Sequence, residues 1–279
     1  MGKANRYQKN CTEPQITPWM VYKRSTRKRR GRMKLAIIDG SSYFYRSFFG
    51  TPEDPVAGMR AMILSALDAL QPDRTIVALD HGRETFRNQI YPAYKANRPP
   101  SPEGYSDAKR AMETALTEMA IQTYSVPMYE ADDIIGTLCA NLDTTQEAII
   151  LSKDKDLMQL VRPGTPNGDG SVSLWYDGKW TGVPEVIEKF GVIPPRVIEV
   201  LGLSGDSADG IPGVSGVGLK TAIALIQYFQ NLESLFDNLG DVELILERGA
   251  SRIRKTLEQS REIAFLSRTL ATIKTDVPL

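Results

Sequence analysis

The chain has 279 residues, 42% hydrophobic and 24% charged, enough for one large domain or a domain with a smaller companion. No apolar run approaches the roughly 18 residues of a membrane span, and no apolar segment opens the chain as a signal peptide would. Two cysteines, Cys11 and Cys139, cannot build a disulfide framework, so a reducing cytoplasm is the expected compartment.

The net charge of zero conceals an asymmetry. Residues 1–32 carry ten basic side chains against one acid, Glu13, a net +9, and the remainder carries 24 basic and 33 acidic groups, a net −9. Residues 1–32 show no periodicity and read as a flexible basic tail, suited to a polyanion partner. An extension without a role is the competing reading. From Met33, Leu35–Ile38 reads as a first buried strand, Met59–Leu70 as a helix, and Thr75–Leu79 as a second strand. Asp107–Ala120 and Ala131–Leu142 follow as helices, the latter with Ile134, Ile135, Leu138 and Leu142 on one face. Ala148–Leu151 is a third strand. Val172–Tyr176 and Lys179–Val183 flank Asp177-Gly178, a hairpin signal. Strands alternating with helices predict an α/β fold with a mostly parallel central sheet flanked by helices. Beyond about residue 184 the pattern is helical and broken by Gly and Pro.

Each strand leads into acids. Asp39 follows Ile38, Asp80 follows Leu79, and Asp154 and Asp156 lie just past Leu151. Ligands of open parallel sheets bind beyond the carboxyl ends of the strands, so these acids, distant in sequence, are expected to meet. Glu130, Asp132 and Asp133 open the third helix, and Asp206 and Asp209 lie in the loop Gly205–Gly210. A lone Asp in such a place is most often a turn or cap residue. A cluster is different. Like charges about 4 Å apart repel by roughly 4 kcal/mol per pair at an effective dielectric of 20, unless cations or protons neutralise them. All-oxygen ligation selects hard cations, Mg²⁺ or Mn²⁺, and two of them together serve phosphoryl displacement. The sole histidine, His81, argues against triads and histidine-rich zinc sites. Gly213–Thr221 resembles a P-loop, but Leu219 separates the last Gly from Lys220, so no nucleotide cofactor is expected.

The ordered set LAIIDG, VALDH, YEADDII, SKDKDL and GDSADGIPGVSGVGLKTA resembles the 5′ nuclease family from about Met33 to the last residue. That family includes the 5′→3′ exonuclease domain of bacterial DNA polymerase I, phage 5′ exonucleases and flap endonucleases. The resemblance implies a PIN-like nuclease domain over 33–190, with a helical arch above the active site. Over 191–279 it implies a helical helix–turn–helix domain that binds DNA. It implies a first metal site at Asp39, Asp80, Glu130 and Asp132, and a second at Asp154, Asp156 and Asp206, with Asp133 and Asp209 as outer members. It implies that Arg46 contacts substrate phosphate, that Phe86-Arg87 lies on the DNA path, and that Tyr94 stacks on a base. Lys95 would stabilise charge on the scissile phosphate and Arg98 would hold a neighbouring phosphate. The turn Ile211–Gly218 resembles the family's hairpin, with Gly213, Gly216, Gly218, Lys220 and Thr221 on the DNA and K⁺ held at the turn. The expected protein is a monomeric 5′→3′ exodeoxyribonuclease and flap endonuclease of replication and repair. It would use two Mg²⁺ or Mn²⁺ and leave 5′-phosphate products. A catalytically silent binder of branched DNA would lack some of these acids, and none is missing. An RNA-directed nuclease fits the helical hairpin poorly.

Overall fold

In the computed structural model, residues 32–165, 170–246 and 248–279 are described, so the basic tail expected from the sequence lies outside the described residues except for Arg32. Six strands form one sheet: β1 (Met33–Asp39), β2 (Arg74–Ala78), β3 (Gln122–Tyr124), β4 (Gln146–Leu151), β5 (Ser171–Tyr176) and β6 (Lys179–Thr181). Their order is β3-β2-β1-β4-β5-β6. The pairs are parallel except β5 with β6, which join antiparallel through Asp177-Gly178. Both turn residues have positive φ, 48° and 78°, the geometry of the tight hairpin turn expected from the sequence. The chain runs outward from β1 through β2 to β3, then returns to the other side of β1 with β4. The strand order therefore reverses between β1 and β4, where ligand crevices of doubly wound sheets lie.

Alternation along β1 builds two cores. Ala36 and Ile38 face one layer, with Met59, Ile63, Ala66 and Leu70 of α2 (Pro55–Leu70) and Met112, Ala115 and Leu116 of α4 (Tyr105–Glu118). Tyr43 and Phe44 of α1 (Gly40–Gly50) join the same layer. Leu35 and Ile37 face the other layer, against Ile134, Ile135 and Cys139 of α5 (Ala131–Ala140). Asp54 caps α2 by accepting the Ala57 amide at 2.9 Å, and Pro55 occupies the first turn, where its missing N–H costs nothing. A one-turn helix, α3 (Phe86–Ile90), precedes the irregular stretch Tyr91–Gly104 that leads into α4.

Beyond β6 the described chain is helical: α6 (Val183–Phe190), α7 (Val197–Ser204), α8 (Leu219–Phe229), α9 (Leu232–Asp237), α10 (Val242–Ile245), α11 (Ala250–Glu258) and α12 (Arg261–Ala271). The second core layer continues without a break into Val200, Leu225, Phe229, Leu257 and Leu270 of these helices. The last residues strap back onto α5. The Lys274 amide donates to Asp133 Oδ1 at 2.8 Å, the Val277 amide to Thr137 Oγ1 at 3.1 Å, and the Ile273 amide to Gln159 Oε1 at 3.0 Å. No helix among the described residues is long and apolar enough to cross a membrane.

Candidate active site

Asp39 ends β1 and caps α1. Its carboxylate accepts the Ser42 amide at 3.0 Å and, across the reversal point, the Ser152 hydroxyl at 2.7 Å from the end of β4. Ser152 Oγ also accepts the Asp154 amide at 3.0 Å, and Asp154 Oδ1 accepts the Asp156 amide at 2.9 Å, so one hydroxyl orders the acids after β4. Asp80, past the end of β2, accepts the Ala131 amide at 2.8 Å and thereby ties itself to the first turn of α5, where Glu130 and Asp132 stand. Asp206 is fixed by reciprocal backbone bonds with Ile211 at 2.9 and 2.8 Å.

These acids sense one another. Asp39 is pushed up to about 6 by burial, with Asp80 and Asp154 adding to the rise against the bonds from Ser152 and Ser42. Asp156 is also pushed up to about 6, by burial and then by Asp154, Asp206 and Asp209, while Lys155 opposes. Burial, Asp154 and Asp39 hold Asp132 well above the usual carboxylate range. Burial would raise Asp206 too, but the bond and charge of Lys155 bring it below its ordinary value. Eight carboxylates thus form one electrostatic chain: Asp39, Asp80, Glu130, Asp132, Asp154, Asp156, Asp206 and Asp209. Glu130, Asp132, Asp156 and Asp209 line a single crevice of about 10 Å³, the room of one water-sized sphere. Among the described residues no three of these side chains close on one point as a finished cage. The donor set itself, all carboxylate oxygen with several groups raised above their ordinary range by burial and mutual repulsion, suits hard divalent cations, whose charge would relieve that repulsion.

Basic groups border the crevice. Lys95 Nζ bonds Glu130 and lies 3.5 Å from Asp209, while its backbone sits at φ 53° and its amide donates to Asp209 O at 2.8 Å. A non-glycine residue in that region costs of order 1–3 kcal/mol, and here the Asp209 loop and two carboxylates hold it in place. Burial alone would lower the Lys95 pKa, but Glu130 and its neighbours raise it, so the ammonium stays charged. Arg98 pairs with Asp209 and stays half exposed. Arg46 forks onto Asp177 of the β5–β6 turn at 2.9 and 3.0 Å. Lys155 bridges Asp156 and Asp206. Sequence reasoning missed Ser152 and Lys155, although both stand among the acids of SKDKDL, where any polar side chain has carboxylates for neighbours.

Four of the residues singled out in the sequence have other work. Asp133 is fully buried and takes a two-pronged bond from Arg87, at 2.7 and 2.8 Å, so it is not an outer metal ligand. Arg87 is 2% exposed and spends its remaining donors on Glu130 and on the Leu270 and Thr272 carbonyls, so it cannot reach DNA. Tyr94 is 3% exposed with its hydroxyl donating to Glu130 at 2.9 Å, so it is not a platform for a base. Gly213 is buried at φ 63°, its amide bonds Ser267, and a Cβ there would stand 2.4 Å from Gly205 N, so it serves loop packing and not a phosphate. Gly216, Gly218 and Lys220 are exposed and Thr221 is half-buried, at the turn before α8.

Residues 34–191 match the family model for the 5′-3′ exonuclease N-terminal resolvase-like domain, and residues 192–279 match that for the 5′-3′ exonuclease C-terminal SAM fold. The 5′-3′ exonuclease of Buchnera aphidicola subsp. Baizongia pistaciae is 36% identical over 86% of this chain and 82% of its own. DNA polymerase I of Bacillus subtilis is 34% identical over 89% of this chain, which spans 28% of that longer relative. A bacteriophage T5 flap endonuclease, solved as a pseudo-enzyme-product complex with DNA and metal ions, superposes with a TM-score of 0.67 at 21% identity. That match covers 85% of this chain and 88% of the phage chain, and it shares the fold. By these matches over both its α/β and its helical parts, the chain belongs to the 5′-3′ exonuclease family.

Proposed function

We propose that this nuclease hydrolyses DNA phosphodiester bonds from the 5′ side, as exonuclease and flap endonuclease in replication and repair, and leaves 5′-phosphate products. The observation that carries the reading is the chain of eight mutually repelling carboxylates where the strand order reverses. Asp39, Asp80, Glu130 and Asp132 would hold one divalent cation, Mg²⁺ or Mn²⁺. Asp154, Asp156 and Asp206 would hold a second, with Asp209 at the rim. Such a pair of ions supplies charge stabilisation to both the attacking and the leaving oxygen of an in-line displacement. Ser152 holds the Asp39 carboxylate by its hydroxyl and the Asp154 backbone by accepting its amide, so that the Asp39 ligand needs little reorganisation.

Lys95, with its ammonium beside Glu130 and Asp209, would meet the scissile phosphate, and Arg98 its neighbour. Arg46, partly exposed at the rim of the sheet, would contact a further phosphate. Gly216, Gly218, Lys220 and Thr221 would follow a duplex strand by backbone amides and charge, with K⁺ at the turn, a contact that positions without reading sequence. The working division is a nuclease part over 33–190 and a DNA-holding part over 191–279, acting as a cytoplasmic monomer. The test is Mg²⁺ titration of the purified chain with a 5′-labelled flap, alongside Mn²⁺ binding followed by electron paramagnetic resonance. We expect Mg²⁺-dependent release of the flap and two bound Mn²⁺ per chain. Binding of the flap without cleavage at any Mg²⁺ concentration would leave a silent DNA binder instead.

A further inference from the structure

Between the hairpin turn and α11 lies an open cleft of about 650 Å³. Ser215 of the turn forms one wall, and Arg252, Lys255, Thr256 and Gln259 form the other. The spacing of three and four residues puts Arg252, Lys255 and Thr256 on one face of α11, with Gln259 at its C-cap, while Leu257 and Ile253 pack on the core. The cations of this helical region divide into two kinds. Arg254 pairs with Glu243 and Glu258 at 3.5 and 3.7 Å, Arg261 with Asp237, and Arg268 with Glu199 and Glu233. Arg252 and Lys255 are exposed and have no carboxylate partner among the described residues. The same holds for Lys220 in the first turn of α8. Two cations without a carboxylate partner among the described residues, on one wall of a cleft lined by polar residues and on a body whose charge is −9 from residue 33 onward, are ready for an anion supplied from outside.

The cleft's position selects that anion. Ser215 belongs both to the cleft and to the turn that carries Gly216 and Gly218, so a backbone lying on the turn passes the cleft mouth. Duplex DNA presents one phosphate per 3.4 Å of axis on each strand, a row of anions that a turn alone does not exhaust. We propose that the cleft is a second backbone site for duplex DNA, in which Arg252 and Lys255 each take one phosphate beyond those at the hairpin turn. The site rests on the DNA-nuclease reading for the placement of duplex on the turn. It lengthens the duplex tract the enzyme grips without touching the acids, and it carries no sequence preference.

The experiment compares the full chain with its Arg252→Ala/Lys255→Ala variant on a flap substrate with a long duplex arm, in Ca²⁺. Affinity is read against salt, and phosphate ethylation interference maps the contacts. Each phosphate contact contributes about 0.9 to the slope of log affinity against log salt, so the variant's slope should be shallower by about 2. Ethylation of two phosphates that hinders the wild-type chain should no longer matter to the variant. Equal slopes, or an unchanged ethylation pattern, overturn the site. Arg252→Lys/Lys255→Arg should restore both readouts, which separates a lost contact from a misfolded α11. Cleavage by the wild-type chain in Mg²⁺ is a separate arm. If cleavage fails while the slope difference persists, the cleft stands and the nuclease reading falls; if cleavage proceeds with equal slopes, the cleft alone falls.

Discussion

Two buried arrangements at the site make opposite demands on a substitution. Arg87 serves Asp133, a carboxylate with no exposure, so Arg87→Ala leaves a charge stranded in the core. Breaking such a pair from one side costs about 3–5 kcal/mol. The urea midpoint should fall accordingly, and weakened DNA binding at unchanged stability would return Arg87 to the substrate path. Lys95 is the reverse case, an ammonium set between Glu130 and Asp209 that the proposed mechanism brings to a substrate phosphate. Lys95→Ala should slow single turnover by about 10²–10³-fold with much less effect on affinity. A loss confined to affinity would make it a simple backbone contact. Asp154→Asn removes charge without removing a phosphate contact and should cost at least ~10²-fold in turnover. Near-normal cleavage by that variant in Mg²⁺ would unseat the second cation site. Cys139 offers a pH test away from the acids. Burial pushes its thiol up to about 12, so in a Cys11→Ser background the native chain should resist thiol reagents at pH 8 and react only on unfolding. Labelling of the folded chain would contradict the burial of α5.

At the level of elements, the strands buried on both faces were readable because burial demands continuous aliphatic runs: β1, β2 and β4 announce themselves in that way. The edge strand β3 does not, because three residues, Gln122–Tyr124, with two exposed side chains carry no pattern. The helix α1 was hidden by its abrupt start, since Asp39 is at once the last strand residue and the cap. The acids were legible because strand ends bring them together. The roles of Arg87, Asp133 and Tyr94 were not, because a motif position says nothing of which way a side chain points. The bond from Arg87 to Asp133 spans 46 residues of sequence. The contact of α5 with the final strap is equally silent in sequence. A Cβ on Gly136 would stand 2.5 Å from Ile273 Cγ2 and 2.6 Å from the Lys274 carbonyl. Gly136→Ala should therefore lift the strap and destabilise by about 1–3 kcal/mol, read from thermal unfolding. Unchanged stability would show that the strap yields freely.

The whole molecule combines an acidic body with a basic N-terminal segment, and its net charge of zero describes neither. A chain that begins at Met33 retains every described strand and all eight acids of the site. It should fold, keep its rate at saturating DNA, and show a salt slope shallower by about 3 units, if three or four of the ten basic groups meet phosphates. Equal slopes for the two chains would mean that residues 1–32 do not touch DNA. The strap sets a further property at this scale. The guanidinium of Arg87 reaches the Leu270 carbonyl across 183 residues, and Asp133 receives the Lys274 amide across 141. Glu130, a carboxylate of the crevice, is bonded to that same guanidinium. Such distant pairings form late, since the intervening loop must close first. On the ribosome, where chains emerge N-terminus first, the acids of the first strands are exposed long before residues 270–277 exist to lock them. A nascent chain thus carries Asp39, Asp80 and Glu130 before the brace on Asp133 exists. The brace on Arg87 and Asp133 therefore closes only after residues 270–274 have been made, whatever the order in which the strands fold.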